Sequence, residues 1–300
     1  MSVRKAAVIL YRYCWIVFVA LVLVTAFTGP LDPFVLVFVP AAAAVVTGLA
    51  LSLAGRTDLT RARPPVEVGP PVAGRWTALN SPADKVPSHG THAYGQAYAI
   101  DIVAEPEEGG RPPFRWLWPV ARPGRDFPAF DATVLAVADG TVVRAGDRQR
   151  DHLSRNSGPA LAYLLVIEAF VRDMAGARRI VGNHLVLDLG DGTYAAYAHL
   201  RQDSLQVRAG DTVRAGQQLA RCGNSGNSTE PHLHFQLMDH PDFDTARGVP
   251  FTWRGLGIPA NGEAFVTDEA SVPVEQPGAT SGHLGRPGPV AQEGAVGPAD

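Results

Sequence analysis

Two long stretches near the start of the chain hold no charged side chain: residues 13–29 (YCWIVFVALVLVTAFTG) and 34–55 (FVLVFVPAAAAVVTGLALSLAG). Each is close to the ~20 apolar residues a membrane-spanning helix needs. The connector between them, Pro30 to Pro33, is very short, so the pattern predicts a helical hairpin, with spans at about 9–29 and 34–55. A signal peptide accounts for the first run alone but not for a second run so close behind it. Further on the pattern changes. Short apolar strands alternate with Gly, Asp and Asn turns, as in AYAIDIV (97–103), TVLAVADGTVVRAG (133–146) and HLVLDLGDGTYAAYAHL (184–200). The Ala138-Asp139-Gly140 and Gly190-Asp191-Gly192 turns are hairpin signals. This predicts a mainly β, antiparallel domain over 76–267. One segment, 159–176 (PALAYLLVIEAFVRDMAG), has no turn residues after Pro159 and predicts an inserted helix whose apolar side chains cover the sheet or, as a second reading, lie against the membrane.

Composition adds boundaries. Residues 56–75 are rich in Pro and Arg and read as a linker; 268–300 are rich in Gly, Pro, Ala and Glu and read as a disordered tail. The net charge of -3 gives no electrostatic case for a nucleic-acid partner. Cys14 and Cys222 are too few for a disulfide framework. Charge flanking the hairpin is awkward. Arg4, Lys5 and Arg12 precede it, Arg56, Arg61 and Arg63 follow it, and the connector carries only Asp32. The positive-inside rule then places both ends in the cytoplasm.

The chemistry concentrates in histidine. In Pro-His-Leu-His-Phe, 231–235, an extended backbone sends His232 and His234 to one face and Leu233 into the core. His89 and His92 lie in Ser-His-Gly-Thr-His, Asp101 in Ala-Ile-Asp-Ile-Val, and His199 at the end of Tyr-Ala-His-Leu. A catalytic zinc site uses three N/O protein ligands and keeps one position open. A His, an Asp and a His from separate strands meet that need, and two histidines remain for proton transfer. There is no His-Glu-x-x-His helix. His184 reads as structural; His152, His240 and His283 sit in polar or flexible stretches without a role. Asn224 and Asn227 read as turn-shaping, and Glu230 as an exposed turn residue.

From about His89 to Met238 the chain resembles the lysostaphin-type (LytM-like) zinc metallopeptidases that cut peptidoglycan peptides. The likeness rests on the order of these motifs, on the ADGTVV hairpin (138–143), on VRAGDTVRAGQ (207–217), and on the turn GNSGNSTE (223–230) before the His-Leu-His strand. It implies a β-sandwich built on a duplicated hybrid motif, with one Zn2+. Asp101 and His234 become zinc ligands, and His199 and His232 the catalytic pair. Many members space the first ligand His and the Asp by only three intervening residues, but the residue at that place here is Ala97. The candidates are therefore His89 and His92, and longer-spaced members imply His89. The expected function is a membrane-anchored zinc endopeptidase acting on peptidoglycan stem peptides or cross-bridges, with specificity in loops 105–130 and 144–160. Its partners are then wall peptides, the bilayer and an unidentified regulatory protein. Peptidoglycan chemistry calls for an extracytoplasmic domain in a bacterial membrane, against the charge bias. Two other readings are a non-catalytic scaffold of the same fold, regulating another wall hydrolase, and a histidine phosphotransfer domain.

Overall fold

A computed structural model describes residues 1–59, 63–107 and 110–267; the tail expected at 268–300 lies outside the described residues. Two helices open the chain. α1 spans Val3–Thr28, started by the Ser2 side chain accepting from the Lys5 N–H. A 3-10 turn, Phe34–Phe38, leads into α2, Val39–Leu59. By length and apolar composition both could cross a membrane. They pack as an antiparallel pair, with the Tyr11 ring against Gly48.

Among the described residues thirteen strands follow: β1 (Val66–Val68), β2 (Gly74–Leu79), β3 (Ile100–Ala104), β4 (Thr133–Leu135), β5 (Gly140–Gly146), β6 (Asn183–Asp188), β7 (Tyr194–Leu200), β8 (Thr212–Val213), β9 (Gln218–Arg221), β10 (Leu233–Met238), β11 (Gly248–Val249), β12 (Phe251–Trp253) and β13 (Ala264–Thr267). Nine form the main sheet in the order β13-β2-β3-β10-β7-β6-β5-β8, with β11 on the end of β10. All its pairs are antiparallel. The pairs β4–β9 and β1–β12 form two small accessory sheets, the latter parallel.

Strand alternation sorts the main sheet into two faces. Ile100, Ile102, Leu185, Leu187, Ala195, Tyr197, Leu233, Phe235 and Leu237 point into the principal core, where they meet Val134, Leu219, Phe251 and Trp253 from the accessory sheets. On the other face Val186, Ala196, Ala198 and Met238 join a smaller core with Ala177, Val181, Phe243 and Ala246. Asp101, His234 and Gln236 share that second face by register.

Two expectations change. The stretch 56–75 is not a linker throughout: α2 continues to Leu59, Val66–Val68 pairs with β12, and Val68 and Val72 are buried in the principal core. Prolines at 64, 65, 70 and 71 keep this segment extended, and extended backbone can still place alternate valines inward. The insertion between β5 and β6 is broken rather than continuous. α3 (Gly158–Tyr163) passes through a π turn at Leu164–Glu168 into α4 (Ala169–Met174), and α5 (Ala177–Val181) follows. Ala177 and Val181 of α5 pack on the sheet, but the apolar side chains of 165–171 do not cover it. Leu164 is buried, but Leu165, Val166, Ile167 and Val171 are exposed.

Candidate active site

β3, β10 and β7 lie side by side, and their register builds the site. His234 stands directly opposite Asp101 on one side and Ala198 on the other. His234 Nδ1 is 2.8 Å from Asp101 Oδ1, and His232 Nε2 is 3.5 Å from the same oxygen. Leu233 between them is fully buried, as alternation requires. His89 arrives from the loop before β3 and sets Nε2 3.0 Å from Asp101 Oδ2. Donor atoms of His89, Asp101 and His234 all lie within 4.8 Å of one another. His92 takes no part in this group: its ring faces Gly55 of α2.

His199 reaches the site by a different route. Ala195 and Tyr197 face the principal core, so strict alternation would send His199 there too. Its backbone instead turns left-handed, at φ 60°, a region few non-glycine residues adopt and one that recurs at functional positions. The turn brings its ring to 4.8 Å from that of His232 and 5.7 Å from that of His234, centroid to centroid. Beneath it Gly182 (φ 67°) and Gly226 (φ 73°) pack backbone on backbone; a Cβ on Gly182 would lie 2.6 Å from the Ser225 carbonyl carbon.

Hydrogen bonds assign the ring nitrogens. His199 Nδ1 donates to the Ser225 carbonyl at 2.8 Å, and His232 Nδ1 to the Glu230 carbonyl at 2.8 Å. Both therefore offer an unprotonated Nε2 to the groove. Gln236 Nε2 donates to the Tyr94 carbonyl at 2.8 Å, which points its Oε1 at His234 Nε2, 2.9 Å away. A carbonyl can only accept, so this amide orientation is fixed, His234 carries its proton on Nε2, and Nδ1 is left with its lone pair toward Asp101. Asn80 Nδ2 donates to Asp101 Oδ2 at 2.9 Å. Three N/O donors with oriented lone pairs and polar support behind them suit a zinc ion.

The electrostatics follow from burial and proximity. Burial works against the charge on Asp101, but the imidazoles of His89 and His232 nearby hold its carboxyl well below the usual carboxylate range. Burial, reinforced by His232 and His234, pushes the His199 imidazole well down. Burial also opposes charge on His232, yet Asp101 outweighs it and raises the imidazole above its ordinary value.

The site opens into a groove of about 460 Å³. Leu164, Leu165, Ala169 and Asp173 of the insertion form one wall, and Asn227, Thr229 and Thr91 lie elsewhere on its lining. Asn224 ties its turn to the His152 carbonyl, Nδ2 donating at 2.8 Å, and Asn227 lines the groove; the Oδ1 of each is buried and unpaired. Glu230 is not an exposed turn residue: it is buried and pairs with Arg111. His184 is buried under the sheet, its Nδ1 donating to the Gly182 carbonyl. Sequence reasoning missed Asn80 and Gln236. Gln236 was signalled by its place two residues after His234; nothing in the sequence marks Asn80.

Comparison with known proteins places these motifs. Residues 166–245 match the model of Peptidase family M23. The chain is 45% identical over 58 residues to the glycyl-glycine endopeptidase ALE-1 of Staphylococcus capitis, covering 19% of this chain and 16% of that protein. Against the peptidoglycan DD-endopeptidase ShyA of Vibrio cholerae it is 37% identical over 78 residues, 26% of this chain and 16% of the other. The chain thus spans less than a fifth of the length of these curated relatives. Among solved structures, the catalytic domain of lysostaphin from Staphylococcus simulans aligns over 64% of this chain and 92% of its own, at 22% identity and a TM-score of 0.30. In both sequence and motif order, the domain that follows the helical pair resembles the lysostaphin-type, LytM-like peptidases, and residues 166–245 are the part that matches Peptidase family M23.

Proposed function

We propose that this chain is a membrane-anchored zinc endopeptidase that hydrolyses amide bonds in peptidoglycan peptides. One observation carries the reading. Five side chains from four separate segments converge so that His89, Asp101 and His234 turn donor atoms to one point while His199 and His232 turn free Nε2 atoms to the groove beside it.

In this mechanism His89, Asp101 and His234 would hold the metal. When bound, zinc supplies Lewis-acid polarisation of a carbonyl and lowers the pKa of water towards ~7. The rest falls to the chain's own groups. The Ser225 and Glu230 carbonyls keep His199 and His232 in the tautomer that leaves Nε2 open. One of the two Nε2 atoms takes the proton of the attacking water, and the Nε2–H so formed donates to the oxyanion that develops on the scissile carbonyl. Gln236 and Asn80 hold His234 and Asp101 in place.

The helical pair is read as the anchor, with the peptidase domain extracytoplasmic. Its flanking cations have structural work besides any topological signal: Lys5 pairs with Asp242, and Arg12 with Asp173 and Asp244. The test is digestion of intact peptidoglycan by the zinc-loaded full chain in detergent or nanodiscs, read by mass spectrometry, with His232→Ala alongside. New peptide ends that vanish in the variant establish the reading. No cleavage by a chain that binds zinc overturns it in favour of a scaffold.

A further inference from the structure

The insertion leaves apolar side chains where no part of the chain covers them. Leu165, Val166 and Val171 are 64%, 72% and 57% exposed. A second apolar stretch lies beside the start of α3. Arg115 and Ser157 form a β-bridge, and the Gly158 N–H donates to the Arg115 carbonyl at 3.1 Å. In that stretch Trp116, Leu117 and Trp118 are 81%, 74% and 79% exposed. Large contiguous apolar surface of this kind marks a site of contact with another phase or another molecule.

Its position relative to α1 says which. α4 packs on α1 through Trp15 against Phe170, ring centroids 5.9 Å apart, and through Arg12 against Asp173 at 3.3 Å. A step along α1 from Arg12 to Trp15 enters the uncharged run of residues 13–29. The matching step along α4 runs from Asp173 to Phe170, toward the exposed Ile167 and Val166. The insertion's apolar face therefore begins at the level where the apolar part of α1 begins, and is continuous with it. Tryptophan suits that depth, because its ring is apolar and its N–H seeks water.

We infer that the insertion 158–174 and the Phe114–Trp118 loop dock into the lipid bilayer, in the headgroup and upper acyl region on the side where both ends of the hairpin emerge. The inference rests on the hairpin spanning the membrane. It has a consequence for substrate. Leu164, Leu165, Ala169 and Asp173 also wall the groove, so the groove opens at the membrane surface and receives peptide held close to the lipid. A second cavity of about 500 Å³, between the helical pair and the domain, shares Thr91, Tyr94 and Asp173 with the groove.

The test uses the full chain with Cys14→Ala, Cys222 being buried, reconstituted in nanodiscs of phosphatidylethanolamine and phosphatidylglycerol. Single spin labels are placed at Val166→Cys, at Val46→Cys on α2, and at Arg208→Cys on an exposed loop as the aqueous reference. Accessibility to oxygen is compared with accessibility to a water-soluble nickel complex. The expected result is an oxygen-to-nickel ratio several-fold higher at 166 and 46 than at 208. A water-like label at 166 with a lipid-like label at 46 overturns the docking surface and leaves the hairpin standing. Water-like labels at both overturn the hairpin reading and the inference with it. A label at 166 shielded from both reagents means that protein covers the patch, which also overturns it. Independently, brominated lipids should quench a fluorescence component that Trp116→Phe/Trp118→Phe removes; equal quenching in that variant counts against docking.

Discussion

His199 and His232 face each other across the groove with ring centroids 4.8 Å apart, and each gives its Nδ1 proton to a backbone carbonyl, Ser225 or Glu230. The pair is thus set in one tautomer by the main chain. Neither ring belongs to the His89, Asp101, His234 group. Replacing either with Ala should lower turnover by ~10²–10⁴-fold while bound zinc, measured by elemental analysis, stays unchanged. Loss of metal from either variant would mean that the roles are divided differently.

Asp101 is the group on which the other donors converge. Asp101→Asn keeps its shape and removes its charge, and should abolish stoichiometric zinc binding along with activity. Gln236 acts at one remove, accepting the His234 Nε2 proton. Gln236→Met should weaken zinc affinity by ~10–100-fold, measured by competition with a chelator, and added zinc should restore turnover. A variant that stays inactive when saturated with metal would assign Gln236 another task.

Gly182 sits in a backbone region that only glycine occupies readily, φ 67° and ψ −144°, and its missing Cβ leaves room for Ser225. Gly182→Ala should cost on the order of 1–3 kcal/mol of stability. It should also move the Ser225 carbonyl away from His199. Thermal unfolding in parallel with turnover separates the two effects: activity should fall further than stability at temperatures where the variant is fully folded.

His184 gives the fold a dependence on pH. Burial depresses its imidazole, and Arg178 and Arg144 add to the effect despite the bond to Gly182. The unfolded chain, with an imidazole near ~6.5, then binds the proton more readily than the folded one. Its contribution to stability is complete above about pH 6.5 and is lost as pH falls through and below that value. Unfolding free energy should drop between neutral and mildly acidic pH, and His184→Phe should flatten that drop. An identical slope in both proteins would remove His184 as the cause.

The direction of insertion is open to a direct test. A reporter fused after Thr267 should read extracytoplasmic. A cytoplasmic signal would put the groove on the wrong side of the membrane for wall peptides.

Much of this site was legible because strands obey a period of two. The His232-Leu233-His234 alternation and the central place of Asp101 in an apolar strand both appear in the folded chain as read. His199 obeyed no period. It was found from its motif, and the left-handed residue that swings it off the core face has no signature in sequence. Which of His89 and His92 stands beside Asp101 was decided by the path of a loop. Long-range polar pairs were invisible for a general reason. Arg12 and Asp173 lie 161 positions apart, and Arg111 and Glu230 lie 119 apart, so only the assembled fold brings them together. The segment at 66–72 was misjudged because its prolines signal irregular backbone, which is compatible with burial when valines alternate between them.

The ion pairs of Arg12 carry a practical consequence. Its guanidinium is nearly enclosed between Asp173, Asp244 and the Tyr94 hydroxyl, and two of those three residues also line the groove. Trimming the chain to the domain without its helical pair, the usual route to an assay, would strip the counter-charge from Asp173 on the groove wall and from Asp244. Such a fragment is an altered protein rather than a smaller one, and weak activity from it would report the surgery before it reported the chain.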